Sequence, residues 1–296
     1  MTQTIRDLLG DAVGKLERVG VESPQLDAEL LLAHALGVDR TWLLAHPEYR
    51  PAPEQARAFQ ALLARRLTRE PLAYITGRRW FYDLEFYVTP DVLTPRPETE
   101  ELVERARAWL KERPRSVVVD VGTGSGAIAL TVARHAPQTR IYATDISPRA
   151  LDVARENARR LGLASRVTFL QGDLLTPLPE PVDLILANLP YIPERQRDRL
   201  MPEVARFEPA QALFGGESGV EMIARLLAQA PRYLRPGGAI LLEIGHDQAQ
   251  AVTPLARSHF PSARVQTIQD LAGRDRIIMI LDVQRSSDGS GSLQHS

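Results

Sequence analysis

The chain has 296 residues, of which 44% are hydrophobic and 25% charged, with a net charge of −1 and no cysteine. A chain of this length holds two domains or one with an appendage, and the balance is that of an ordinary folded protein. These totals exclude disulfides and thiolate metal sites, and they leave no overall basic footprint for nucleic acid. No run of about eighteen apolar residues is present to span a bilayer. The start, Met1-Thr2-Gln3-Thr4-Ile5-Arg6-Asp7, lacks the basic and apolar stretches of a secretory signal. A cytoplasmic location is therefore expected. No metal is expected either, because His34, His46, His135, His246, His259 and His295 show no ligand spacing.

The first third reads as helices. Ile5, Leu8, Leu9, Ala12, Val13 and Leu16 recur at helical spacing and paint one apolar stripe. Thr4 with Asp7 three residues on reads as a capping box. A second helix is expected to begin with Ser23 as N-cap and Pro24 at the first helical position, and to stop near Gly37. A third, over 53–67, places Phe59, Leu62, Leu63 and Leu67 on one side. Short connections predict a small helical bundle over 1–75. Its nine Lys+Arg against ten Asp+Glu do not suit a DNA clamp.

Trp80, Phe81, Tyr82, Leu84, Phe86 and Val88 then change the pattern to that of a β-hairpin turning near Asp83. This stretch, 76–95, is read as a linker. From 96 to 283 helix and strand alternate. A helix over about 98–111 precedes strands at 117–121, 140–144, 167–170, 183–187, 239–244, 264–268 and 276–281, with helices at 127–135, 148–161, 220–234 and 248–259 between most of them. Alternation of this kind predicts an α/β domain, a seven-stranded and mostly parallel sheet covered on both faces. The last two strands are joined by only Asp270–Asp275, too short for a helical crossover, so the final strand should run antiparallel. The Ser/Gly-rich tail, 284–296, is expected to be disordered.

The first strand of this domain runs into Asp120-Val121-Gly122-Thr123-Gly124-Ser125-Gly126. Alternate glycines let a backbone turn sharply and approach a ligand over the strand end, where open α/β sheets bind their ligands. Two readings compete at this point. Gly122, Gly124 and Ala127 fit a dinucleotide fingerprint, with Asp145 about twenty residues on as the ribose acid. A methyltransferase would use the same glycines, with Asp120 facing an ammonium where a dinucleotide would bring a repelled phosphate. Asp145 can accept two ribose hydroxyls, since Ser147-Pro148 is better placed to cap the next helix. Asp173 can accept from an adenine amino group, or serve only as a turn residue.

Ala187-Asn188-Leu189-Pro190-Tyr191-Ile192-Pro193, after the fourth strand, separates the readings. It serves no purpose in dinucleotide binding. A planar amide or amino nitrogen is a poor nucleophile, because its lone pair is delocalised. A site that methylates it must accept both N–H bonds and so aim the nitrogen at the methyl donor. The Asn188 side chain and the Leu189 carbonyl are candidate acceptors. Leu189 precedes proline and is therefore held extended. Tyr191 can pack on the planar group. Glu98, just before a helix, is read first as a first-turn acid favoured by the helix dipole, the alternative being a place near the cofactor or a part in ordering the loop.

With these residues in view, the chain resembles the release-factor glutamine methyltransferases over roughly residues 5–282. Asp27-Ala28-Glu29-Leu30-Leu31-Leu32 looks like that family's N-terminal helix, and Pro71-Leu72-Ala73-Tyr74-Ile75-Thr76-Gly77 like its interdomain stretch. Thr94-Pro95-Arg96-Pro97-Glu98-Thr99-Glu100 is similar to its Pro-Arg-Pro signature, and Gly273-Arg274-Asp275-Arg276 to its C-terminal hairpin. Asn188 to Tyr191 corresponds to the Asn-Pro-Pro-Tyr signature, with Leu189 in place of a proline. That change keeps the carbonyl and loses a φ-locking ring.

The resemblance implies a Rossmann-like methyltransferase fold with S-adenosyl-L-methionine as cofactor. It also implies methylation of N5 of the glutamine in the Gly-Gly-Gln motif of class I peptide chain release factors, with the helical bundle recognising that substrate. The candidate catalytic set is Asn188, Leu189, Pro190 and Tyr191. The candidate cofactor set is Asp120, Gly122, Thr123, Gly124, Gly126, Asp145, Asp173, Leu174 and Asn188. A monomer with no membrane or nucleic-acid partner is expected. The alternative is a nucleic-acid adenine or guanine amino-methyltransferase, which would share every cofactor residue.

Overall fold

The computed structural model describes residues 3–282, which divide into two compact units. The tail expected to be disordered lies outside the described residues. One unit comprises the chain up to Pro95 together with Arg195–Leu213; the other comprises Arg96–Glu194 and the chain from Phe214 onward.

The first unit is built from α1 (Ile5–Arg18), α2 (Pro24–Leu36), α3 (Arg40–Ala45), α4 (Pro53–Leu67) and α5 (Leu72–Thr76), followed by the hairpin β1 (Arg78–Phe81) and β2 (Leu84–Tyr87). The apolar stripe of α1 buries Ile5, Leu8, Ala12 and Leu16 against Leu31, Leu32, Phe59 and Leu63. Thr4 and Asp7 form the expected reciprocal cap. Ser23 does stand at the N-cap of α2, but its side chain makes no capping bond. Pro24 at the first helical position already removes one orphan donor. In the hairpin, Phe81 and Phe86 meet edge to face at 6.1 Å, and Tyr82 makes the turn with a φ of 59°.

The segment Arg195–Leu213, which carries helices Pro202–Phe207 and Ala210–Leu213, brings Glu203 into this unit. Glu203 Oε1 lies 3.0 Å from Arg66 Nη2 and 2.6 Å from Arg69 Nε, while Oε2 accepts from Arg69 Nη2 at 2.7 Å. Arg66 Nε also reaches Asp27 Oδ2 at 2.7 Å. Burial pushes the Glu203 carboxyl up, but the hydrogen bonds from Arg69 and Arg66 outweigh it and hold the group below its ordinary range. Arg69 adopts a left-handed φ of 71°, which costs a non-glycine residue roughly 1–2 kcal/mol and is held by this fork.

The second unit is the α/β sheet. In chain order it contains α6 (Glu100–Lys111), β3 (Val117–Val121), α7 (Ala127–His135), β4 (Arg140–Asp145), α8 (Pro148–Arg160), β5 (Val167–Gln171), β6 (Val182–Ala187), and the short parallel pair β7 (Ile192–Pro193) and β8 (Phe214–Gly216). There follow α9 (Glu221–Gln229), β9 (Leu234–Glu243), α10 (Ala249–His259), β10 (Arg264–Gln269) and β11 (Asp275–Leu281). The seven-stranded order is β10-β11-β9-β6-β3-β4-β5. Strands β9, β6, β3, β4 and β5 are parallel, and β11 is antiparallel to both neighbours, as its short connection requires. Every residue of β3 is buried, as befits a central strand with helices on both faces.

Several boundaries differ from the sequence reading, among them the helix expected over 220–234, which stops at Gln229. Strand β9 begins at Leu234, because Pro236-Gly237-Gly238 forms an irregularity against β6 and does not end the strand. A methyl group at Gly238 would lie 2.7 Å from the Asp183 carbonyl, so only glycine lets the strands close there. Glu98 precedes α6 in a tight turn, Pro97–Thr99. Connections from β3 run outward through β4 to β5, then return to β6 on the other side of β3. This makes the carboxyl ends of β3 and β6 the topological switch point.

Glu203→Ala should leave two buried guanidiniums without their shared counter-ion. We expect a loss of about 3–5 kcal/mol in urea unfolding; a change below about 1 kcal/mol would show that the fork contributes little.

Candidate active site

At the end of β3 the backbone turns through Gly122, Gly124 and Gly126, all with positive φ. Thr144 O at the end of β4 receives both Gly122 N–H and Thr123 N–H at 2.9 Å. Gly126 occupies the N-cap of α7 and has no side chain to cap it. Asp120, one turn back inside β3, supplies the missing acceptor. Its Oδ2 takes the Ala129 N–H at 3.2 Å and the Thr123 hydroxyl at 2.6 Å. From α8, buried Asn157 donates Nδ2 to Ser125 O at 2.9 Å and braces the loop from behind.

Asp145, at the end of β4, accepts Gly124 N–H on Oδ2 and Ser147 N–H on Oδ1, each at 2.9 Å. Ser147 itself caps α8 through Ala150 N–H at 3.2 Å. Burial raises the Asp145 carboxyl against these backbone donors. Asp120 is 1% exposed, and burial lifts its carboxyl to about 7 even though Thr123 and Ala129 favour the charge; nearby Asp145 lifts it further. Among the described residues Asp120 Oδ1 has no hydrogen-bond partner.

The charge of this cradle discriminates between the two glycine-loop readings. A pyrophosphate would face two carboxylates, and the Ala129 N–H that would receive it at the start of α7 is already held by Asp120. A ligand carrying an ammonium and a sulfonium meets the opposite field. The arrangement of acids suits a cationic ligand better than a pyrophosphate.

The loop after β6 lies against the glycine turn: a Cβ on Gly122 would be 3.1 Å from Leu189 Cδ2. Leu189 is 4% exposed and belongs to the sheet core. Asn188 Nδ2 donates to the buried Thr99 hydroxyl at 3.0 Å. Thr99 also lies beside Glu243 at the end of β9 and favours its charged form, while Glu243 Oε2 is buried with no hydrogen-bond partner among the described residues. The Tyr191 hydroxyl stands 3.5 Å from Glu243 Oε1, and burial followed by the Glu243 charge pushes its phenol above the ordinary range. Glu243 is 2% exposed; burial lifts its carboxyl to about 7 against Thr99, Arg276 and Tyr191, while Glu98 adds to the rise.

Two further carbonyls of the loop face inward. Tyr191 O accepts from Gln248 Nε2 at 2.8 Å. A methyl group at Gly215 would fall on Pro190 O, and one at Gly219 on Tyr191 O. Both glycines are required by this close approach.

Asp120, Gly122, Thr123, Gly124, Gly126, Asp145 and the segment Asn188–Tyr191 thus gather at the carboxyl ends of β3, β4 and β6. Asp173 and Leu174 lie just beyond β5, where Gly172 N–H bonds to Asp145 O at 3.0 Å. Asp173 Oδ2 is paired with Arg225 Nη2 at 2.7 Å, and Leu174 packs into the core with a left-handed φ of 51°. The sequence reading did not single out Glu243, Asn157 or Gln248, and took Arg276 only as part of the C-terminal hairpin. Glu243 carried one signal that could have found it, an acid closing the apolar run Ala239–Leu242.

Comparison with known proteins agrees with this geometry. A family model described as a methyltransferase domain matches residues 112–272, and another described as the PrmC N-terminal domain matches residues 7–77. A crystal structure of a ribosomal protein L11 methylase from Lactobacillus delbrueckii subsp. bulgaricus is similar in fold, with TM-score 0.50 and 21% identity over 66% of this chain and 84% of that one. The sheet unit is that of a Rossmann-like methyltransferase, and the protein is an enzyme of that class.

Closer relatives narrow the class. A release factor glutamine methyltransferase from Moorella thermoacetica is 48% identical over 277 residues, 93% of this chain and 98% of its own. Another from Cereibacter sphaeroides is 45% identical over 273 residues, 92% of this chain and 96% of its own. The chain belongs to the release factor glutamine methyltransferase family.

The raised carboxyls carry a pH consequence. Asp120 and Glu243 bind protons in the folded state up to about pH 7 and in the unfolded chain only near pH 4. Between these limits the native state holds more protons, so their contribution to stability falls as pH rises. Asp120→Asn should make the fall in urea midpoint between about pH 4 and 7 shallower, with Glu243 and Asp145 still contributing in the same direction. An unchanged slope would mean that Asp120 is not the buried titrating group.

Proposed function

We propose that the protein transfers the methyl group of S-adenosylmethionine to N5 of the glutamine side chain in the Gly-Gly-Gln motif of class I peptide chain release factors. The observation that carries this reading is the Asn188 amide, held by Thr99 through its nitrogen so that its oxygen is left to accept. Membership of the family supplies the substrate class.

When bound, S-adenosylmethionine supplies an electrophilic methyl on sulfur and leaves as a neutral thioether. Asp120 and Asp145 are the acids proposed to hold its cationic and ribose portions over the glycine turn, with Gly122, Thr123, Gly124 and Gly126 forming the floor. Asp173 and Leu174 are proposed to border the adenine. Asn188 Oδ1 and the Leu189 carbonyl accept the two N–H bonds of the substrate amide. Leu189 suits the second role because the Pro190 and Tyr191 carbonyls are turned into the fold. Holding both N–H groups in one plane fixes the nitrogen lone pair on the perpendicular, toward the methyl. Tyr191 packs against the planar group, and Pro190 keeps Leu189 extended. The amide proton released after transfer passes to water, so no strong base is required of the chain.

The helical unit is proposed to recognise the release factor, with residues 76–95 as linker and 96–283 as the methyltransferase domain. Among the described residues no helix is long and apolar enough to cross a membrane. Action in the cytoplasm as a monomer completes the reading.

The test is methyl transfer from labelled S-adenosylmethionine to a class I release factor, beside a variant whose Gly-Gly-Gln glutamine is alanine. Label is expected on the first alone. Asn188→Ala should lower the rate at least about a hundredfold while S-adenosylhomocysteine still binds; Asp145→Ala should weaken that binding. Label on neither factor, with cofactor binding intact, would refute the substrate and turn attention to nucleic acid.

A further inference from the structure

Resting on the reading of Tyr191 as the residue that packs against the substrate amide, we propose that Glu243 is a positioning residue that fixes the direction of the Tyr191 ring. The Tyr191 main chain is already held. Its carbonyl accepts from Gln248 Nε2 at 2.8 Å, and Gly219 approaches that carbonyl so closely that a methyl group there would collide with it. What stays free is the side chain, which turns about two torsions. A contact at the far end of the ring removes both. The far end is the hydroxyl, which donates to Glu243 Oε1 at 3.5 Å.

Glu243 suits this task because the sheet sets its own position. Strand β9 runs between β6 and β11, with Glu243 opposite Ile277 and Leu242 opposite Ala187. That register puts Glu243 level with Asn188, where the loop leaves β6. The next N–H, that of Ile244, bonds to Arg276 O at 2.9 Å and carries the ladder past the acid. The fold itself gains little from the carboxyl. It is 2% exposed, and its Oε2 has no hydrogen-bond partner among the described residues. A bond of 3.5 Å is too long to offset that burial, so its part is to direct the ring and not to hold the protein together.

The role holds in either charge state. A carboxylate accepts from a phenol, and a protonated carboxyl keeps an oxygen that does the same. Burial lifts Glu243 to about 7, so both forms are present near neutrality and either one anchors the hydroxyl. Glutamine keeps such an oxygen; leucine has none.

The test measures turnover at saturating S-adenosylmethionine with the release factor varied. Tyr191→Phe keeps the ring and removes the hydroxyl, and Glu243→Leu removes the acceptor. Each should lower kcat by about fivefold to fiftyfold with KM nearly unchanged, because a misdirected ring misplaces the amide without preventing its binding. Glu243→Gln should recover most of the loss. Tyr191→Phe combined with Glu243→Leu should be no slower than Tyr191→Phe alone, since the leucine then removes a partner for a hydroxyl already gone. A carboxyl that only supports the fold would slow both backgrounds alike. A readout without substrate is a slowly exchanging hydroxyl proton, absent from Tyr191→Phe, that persists in Glu243→Gln and vanishes in Glu243→Leu.

Wild-type kcat in Tyr191→Phe, or an equal loss from Glu243→Leu in both backgrounds, would overturn the proposal. If Glu243→Leu does not fold, the kcat of Tyr191→Phe and the hydroxyl proton in Glu243→Gln decide the matter. Tyr191→Ala keeps the two claims apart. A wild-type rate there would end the packing reading, whereas a large loss there with none in Tyr191→Phe would overturn the anchor alone. No label on the release factor would refute the substrate, and the hydroxyl proton would then decide whether Glu243 holds Tyr191.

Discussion

The glycine turn at the end of β3 depends on one buried carboxyl group. Asp120 sits inside a fully buried strand, where a charged side chain is costly, and is retained because it ends the strand and begins the helix at once. Its Oδ2 closes the glycine turn through Thr123 and caps α7 through Ala129, a helix whose own N-cap is a glycine. An acid placed there occupies a backbone donor of a helix start that ordinarily favours phosphate. Asp145, bonded to Gly124 N–H, adds to the same field. The proposed preference for a sulfonium ligand over a dinucleotide rests on these two acids, because the glycine spacing alone leaves it open.

A second constraint shapes the loop after β6. The segment Asn188–Tyr191 is immobilised by contacts that tolerate no side chain at Gly215 and Gly219, by the Gln248 amide on Tyr191 O, and by the short β7–β8 pairing. With Leu189 packed on Gly122, the loop keeps a defined geometry although it has only one of the two prolines of the commoner signature. Packing of the leucine side chain supplies the restraint that a second proline ring would have given.

Much of this architecture could be read from residue order. The sheet strands, the antiparallel final strand and the Thr4–Asp7 cap follow from local rules, because alternation, loop length and short-range capping are all written within a few residues. The same holds for the glycine turn and the Asn188 segment, each lying directly after a strand. What could not be read depends on pairing across long separations. Thr99 reaches Asn188 and Glu243 reaches Tyr191 from distant elements, and nothing in the apolar run Ala239–Leu242 says that the acid closing it is buried. The segment Arg195–Leu213 lies in the middle of the sheet domain's sequence, yet supplies Glu203 to Arg66 and Arg69 of the helical unit. The start of β9 escaped for a related reason: a Pro-Gly-Gly run signals a turn unless a neighbouring strand makes it a bulge.

The measurement that tests the central claim most directly is calorimetric titration of the unmodified protein with S-adenosylmethionine and, separately, with NAD. A cradle made electronegative by Asp120 and Asp145 predicts saturable one-to-one binding of S-adenosylmethionine and no heat of binding from NAD. Binding of NAD with none of S-adenosylmethionine would contradict the account at its foundation.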